Sequence, residues 1–357
     1  MHVQSLREGG LPMKSLRTAA VILSLMCLTP FLASAVQVDY VSGDVRYRHF
    51  KQEWQEVEIG ANLLTGDTIE TGSSSEAILL DEGSEIYISE NSSFTVSERY
   101  ENEKRRSTFM LFLGRMKFKL GASAASEPDI QTQTVNLTIR GTEFEVGSGY
   151  DGSTIVLIEE GSVAVQGETS ELLLTEGEGA EVAFGEEPTE KFEVMTRVID
   201  WADWLDSSQD AVQGNETALL TRVHTRIEEI FEEIATFEQI REVAMDNRDR
   251  YLTQRDELLQ KGKSEDAVDA SRRAGQESKA AFHSLVNIRF LALSSIGLYD
   301  MAERIYTGIE EPTDEQERLF RGIGARYNDI ESRYVLEGDR ERLEEQAERK
   351  KGCLNVL

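Results

Sequence analysis

Residues 220–237 read LTRVHTRIEEIFEEIATF, and the apolar positions Leu220, Val223, Ile227, Ile230, Ile234 and Phe237 step alternately by three and four. That spacing places all six on one face of a helix and predicts a buried helical seam. In the same register the seam runs on through Arg241, Ala244, Arg248, Tyr251, Arg255 and Leu258, so arginine takes every other position. There the helix is expected either to splay or to be capped by acidic partners. Gly262 ends it, Ser264-Glu265-Asp266 starts a second helix with a broad apolar stretch from Phe282 to Ala302, and Pro312-Thr313-Asp314 introduces a third running toward Lys351. Residues 196–351 therefore read as an α-helical, coiled-coil-like domain, a hairpin or bundle packing on itself. The seam reads as core, because two further apolar helices follow it and because arginines continue a dimer seam poorly.

Toward the N-terminus the period falls from 3.5 to 2. Phe109, Leu111 and Leu113 alternate before Gly114, and Met116, Phe118 and Leu120 alternate after it. Val36, Val38 and Tyr40, then Val45 and Tyr47, flank Ser42-Gly43-Asp44, while Ile86 and Ile88 follow the turn at Asp81-Glu82-Gly83-Ser84. Short alternating segments separated by glycine turns predict strands, so residues 36–185 are expected to be all-β: a β-roll, a sandwich or a β-helix-like stack. Glu186-Glu187-Pro188-Thr189-Glu190 reads as part of an exposed linker over 186–195. The expected fold is thus two-domain, all-β and then all-α.

The chain begins with a different signal. Lys14 and Arg17 precede an apolar stretch from Ala19 to Ala33, and Ala33-Ser34-Ala35 supplies small residues for cleavage. This is the anatomy of a secretory signal peptide over 1–35, with Met1 or Met13 as the start. Cleavage after Ala35 removes Arg7, Lys14, Arg17 and Glu8 and takes the net charge from −28 to −30. Such an acidic chain repels phosphate and anionic lipid, which excludes a basic nucleic-acid binder. Met26 stands where a lipoprotein signal wants a small residue before Cys27, so lipid anchoring is not the favoured reading. Cys353 is then the one mature thiol, and no intramolecular disulfide follows. With the leader gone no transmembrane segment is expected, and the protein is read as exported, periplasmic or extracellular.

The turn residues of the β half fall into an ordered set of blocks. These are Trp54, Gly60, Leu63, Thr65 to Ile69 and Thr71-Gly72; Ile78-x-Leu80-x-Glu82-Gly83-Ser84 with Asn91-Ser92; Gly114-Arg115-Met116; Arg140-Gly141-Thr142-x-Phe144-x-Val146; Glu160-Gly161-Ser162-Val163; and Glu176-Gly177-Glu178-Gly179. In this order they resemble the FecR-domain family over about 36–185, departing from it at Glu82, where the family usually has Asp. The residues themselves read mainly as architecture, glycine for positive φ and hydroxyls for turn amides. The candidate site is this turn motif, ligand-binding or structural: Asp67, Gly83, Ser84, Arg140, Gly141 and Thr142. Arg140 is read as clamping an acid such as Asp67 or Glu143, with ligand contact as the alternative. A fainter resemblance, Gly297-x-Tyr299-x-x-Ala302-x-x-x-Tyr306 before Pro312, is to the second helix of a tetratricopeptide repeat.

Chemistry is not evident. His49, His224 and His283 lack metal-ligand spacing, no nucleophile elbow or phosphate loop occurs, and Glu228-Glu229 with Glu232-Glu233 reads as a solvated face. No enzyme, cofactor or metal is expected. In its best-known members, as the resemblance implies, the FecR domain lies outside the inner membrane and relays a signal to a sigma factor through a membrane helix and a cytoplasmic segment. Finding neither, the reading favours a non-catalytic exported binding or scaffold protein of the bacterial cell envelope. Its partner would be an envelope protein or polysaccharide, with self-association through the helices as a further outlet. The alternative is a periplasmic regulatory subunit in FecR-type signal transduction.

Overall fold

A computed structural model describes residues 36–50, 52–81, 83–121 and 128–335. The expected leader over 1–35 with Cys27, the turn residue Glu82, and the stretch to Lys351 with Cys353 lie outside the described residues. The strands are β1 (Val36–Ser42), β2 (Val45–His49), β3 (Gln55–Glu56), β4 (Asn62–Leu63), β5 (Asp67–Thr71), β6 (Glu76–Asp81), β7 (Ser84–Ile88) and β8 (Ser93–Glu101). They continue with β9 (Lys104–Lys119), β10 (Asp129–Gln131), β11 (Asn136–Ser148), β12 (Thr154–Gln166), β13 (Glu171–Thr175), β14 (Glu178–Val182) and β15 (Phe192–Glu193).

The long strand β9 organises the rest. Its first half pairs antiparallel with β8, Val96 opposite Phe109. Its second half lies between β7 and β11, with Phe118 opposite both Ile86 and Phe144. The exchange of partners falls at Gly114, where φ is +91° and a Cβ would stand 2.2 Å from Ser92 Oγ, so only glycine passes. From β8 the sheet continues through β5, β2 and β3, from β7 through β6, β1 and β4, and from β11 through β12 to β13, β14 and β15. These limbs curl into a barrel. Its core contains Phe94, Phe109, Phe118 and Phe144, with successive ring centroids 5.4, 5.5 and 5.6 Å apart.

The same strand builds a second core on its other face. Phe109 and Leu111 point into the barrel, whereas Met110 and Phe112 point out of it and join a cluster with Phe50, Phe184 and the helices. Those helices are α1 (Trp201–Asp210), α2 (Glu216–Gln260), α3 (Ser264–Thr307) and α4 (Asp314–Ile330). Leu220, Val223, Ile227, Ile230 and Ile234 are buried in this second cluster, and Phe237 packs against it half-buried. α3 fills the middle of the layer. Its most apolar stretch is 72% buried inside the fold, as in a core helix. Gly297 lets its backbone ride against Phe112, and Gln133 Nε2 donates to the Gly297 carbonyl at 3.1 Å.

α4 begins with a capping box, Gln316 Oε1 accepting from Thr313 N at 2.8 Å while Thr313 Oγ1 accepts from Gln316 N. It runs beside α2, where Arg326 forks onto Glu228 at 2.7 Å, and beside α3, where Tyr327 stacks on Tyr299 and Phe320 on Tyr306, each at 4.3 Å. The Gly297 to Tyr306 stretch thus nests β9 on one side and α4 on the other. The architecture is an N-terminal β-rich barrel followed by long helices. Between them, residues 186–195 follow the edge of the sheet. Glu187 accepts from the backbone amides of Thr169 and Ser170, and β15 pairs with β14.

Candidate functional site

The FecR-like turn residues are dispersed over the barrel and each is held locally. Asp67 is 4% exposed; its Oδ2 accepts from Leu64 N at 2.7 Å and its Oδ1 meets His49 Nδ1 at 2.5 Å, tying β2 to β5. Gly83, at φ +90°, forms the exposed tip of the β6–β7 hairpin, and Ser84 is buried opposite Asp81. Arg140 is exposed on β11 opposite Ser162, just before the register shift that Gly141 makes at φ +60°; of Thr142 only the backbone is described. Glu143 is taken by Lys117 at 2.9 Å, so both acids expected for Arg140 are engaged elsewhere, and among the described residues Arg140 forms no ion pair. The hydrogen bond from Lys117 holds the Glu143 carboxyl below the usual carboxylate range. Among the described residues these positions lie at separate turns and strand ends of the barrel.

The helices present a different feature, an arm set on the β body. Asn287 of α3 clasps the end of β8, its Oδ1 accepting from Tyr100 N at 2.8 Å and its Nδ2 donating to Tyr100 O at 3.0 Å. The Tyr100 ring stacks on His283 at 3.8 Å, and Arg99 lies 5.7 Å over Phe290. Burial, helped by Lys279, pushes the His283 imidazole down, so it stacks uncharged at neutral pH. Lys279 reaching Glu103 at 3.1 Å is the outermost of these links. Beyond it, among the described residues, α2 and α3 hydrogen-bond only within their own hairpin. Glu238 still accepts from Tyr334 beyond the last helix, and from Gln239 to Gln260 the hairpin projects roughly 33 Å at 1.5 Å per residue.

The arginines of the seam fit this arm because α3 answers them with alanine. Ala267, Ala270 and Ala274 are buried, leaving room for the half-buried stems of Arg241, Arg248 and Arg255. Asp249 holds Arg248 at 2.7 Å and Asp256 holds Arg255 at 2.7 Å. Two of the three arginines, Arg248 and Arg255, are thus held by an acid, in each case the residue that follows in sequence.

Two polar features lie where arm and body meet. A cavity of about 800 Å³ runs between α2 and the β10–β11 and β12–β13 turns, crossed by Arg226 on its way to Glu229 and Glu233. Deeper, Asp300 and Arg304 of α3 are withdrawn from water beside Arg48 of β2 and Glu70 of β5. Burial raises the Asp300 carboxyl against the pull of Arg48 and Arg304, and burial lowers the Arg304 guanidinium. Nε and Nη2 of Arg304 are buried without a hydrogen-bond partner.

Residues 67–164 match the family model described as FecR protein. Two crystal structures of an anti-sigma-factor candidate from Parabacteroides distasonis are similar at 16% and 17% identity, with TM-scores of 0.31 and 0.30. Each match covers 35% of this chain and 59% of the other. No curated protein matches the chain.

Proposed function

We propose that this chain is a non-catalytic binding or scaffold protein of the bacterial cell envelope, exported by its leader, whose FecR-like β body carries a helical arm that captures a protein partner. Charge is the observation that carries this reading. Residues 239–279 hold nine acidic and nine basic side chains in a chain of net charge −28, so the arm is neutral ground on a protein that otherwise repels anions and copies of itself. Ile240, Val243, Leu259 and Val268 are exposed along it.

The FecR match over 67–164 favours a second reading, a regulatory subunit in FecR-type signalling, in which the arm would contact a membrane-bound regulator. Photo-crosslinking in growing cells separates the two. A crosslinking amino acid at Val243 or Val268 is expected to give a discrete protein adduct that the same label at Leu173 on β13 does not. An adduct containing a sigma-factor regulator selects the second reading. Adducts at Leu173 alone overturn the arm.

A further inference from the structure

The short helix α1 has no role in the arm. Asp200 caps it, accepting from Ala202 N and Asp203 N, and it presents two tryptophans at i and i+3 to one patch of the barrel. They lie against Gly147 of β11, where a Cβ would stand 2.7 Å from Trp201 Cζ3 and 3.0 Å from Trp204 Cζ3. The rings meet edge to face at 6.0 Å, Arg115 covers Trp201 at 4.7 Å, and Trp204 Nε1 donates to Glu181 Oε1 at 2.8 Å. Trp204 is therefore fixed in plane and rotation. It also separates two cavities, one of about 520 Å³ toward β14 and β15 and one of about 150 Å³ toward Gly114.

The larger cavity lies within the usual range of roughly 300–1,000 Å³ for small-molecule sites. Its aromatic walls are Trp204 and Phe192. Its polar groups are of both signs and already matched: Arg197 pairs with Glu181 and lies 4.7 Å over Phe192, and Lys191 pairs with Glu178 at 2.6 Å. Asp151 is likewise engaged, by Ser153, while the Ser207 hydroxyl lines the rim. A site built for an ion would leave a charge of one sign without a partner. Here Arg197, Lys191 and Asp151 each have a partner within the protein, and each keeps further donor or acceptor capacity beyond that pairing. Met195 and Val198, 95% and 93% exposed, bracket Arg197 beside it.

A ligand suited to these walls is neutral, has groups that both donate and accept, and has a flat apolar face to lay on an indole. We infer that the Trp204–Phe192 cavity is an oligosaccharide site, with Trp204 as the stacking platform and Arg197, Lys191 and Glu190 as hydroxyl partners. This rests on the envelope-binding reading only for where a glycan would be met, since the pocket and the arm lie on different elements.

Titrating the full chain with cellohexaose, maltohexaose and the tetramer of N-acetylglucosamine, beside an array of bacterial wall and capsular glycans, reads binding through tryptophan emission and calorimetry. At least one glycan is expected to bind saturably. Trp204→Ala should weaken it by about tenfold or more. Because Trp204 also packs on Gly147, the second variant is Ser207→Trp, which plugs the cavity from an exposed position; it should abolish binding with circular dichroism unchanged, whereas Trp54→Phe should keep it. No glycan binding, binding that survives Ser207→Trp, or displacement by tetramethylammonium overturns the inference. Arm crosslinks at Val243 that persist in Ser207→Trp would leave the arm reading standing when this one falls.

Discussion

Gly297→Ala tests the junction of body and helices at one atom. The added Cβ would stand 2.2 Å from Phe112 Cδ1 and 2.6 Å from its Cγ and Cε1, whereas carbon atoms in contact lie about 3.5–4.0 Å apart. Phe112 is 6% exposed, wedged between β9 and α3, so its ring must move by more than about 1 Å into a packed layer. Overpacking of that kind costs about 1–3 kcal/mol. Against it, alanine in a helix interior is worth about 1 kcal/mol over glycine. The expected net effect is a loss of about 0–2 kcal/mol by urea unfolding, the difference of those two figures. In a Phe112→Ala background, itself costing about 3–5 kcal/mol, the space is open and Gly297→Ala should become stabilising by the propensity term alone. The sign change is the readout. If Gly297→Ala stabilises equally in both backgrounds, Phe112 does not face Gly297 and the docking of α3 on β9 is wrong.

Three further outcomes follow from the same contacts. Asn287→Ala leaves Tyr100 N–H and C=O without their partner, so a loss of about 1–3 kcal/mol is expected together with faster amide exchange at the end of β8. Ile230→Asp puts a carboxylate at a site 1% exposed within the chain; sedimentation and melting should show an unfolded or strongly destabilised monomer, about 3–5 kcal/mol down, and not a folded one that has lost an oligomer. Asp300 has its carboxyl raised by burial, so its contribution is fully present below the ordinary value of 3.8 and is lost as pH rises through the raised one. Stability should therefore fall over that interval in the native chain, and Asp300→Asn should flatten the fall.

Much of this architecture was legible. The three-four spacing from Leu220 to Phe237 gave the seam, and the turns at Gly262 and Pro312 gave the helix ends. The run FMLFL at 109–113 shows what was missed. Its odd positions read as an alternating strand, but the even positions Met110 and Phe112 are apolar as well, the mark of a strand buried on both faces. That second face is where the helices dock, and which element covers it is not a local property. Arg140 illustrates the same limit, because Asp67 and Glu143 are claimed by His49 and Lys117, partners set by strand register. The tryptophan pair of α1 had a local signal, Asp200 before Trp201 and Trp204, yet its meaning depends on Gly147, more than fifty residues away.

Through the Asn287–Tyr100 clasp the arm is fixed to the FecR-like body. Pulsed electron resonance between spin labels at Lys261, on the arm tip, and Ile59, on the barrel, in a Cys353→Ser background, measures that directly. A single narrow distance, broadened by Asn287→Ala, is the result predicted. A broad distribution in the otherwise native chain, indifferent to Asn287, would contradict it.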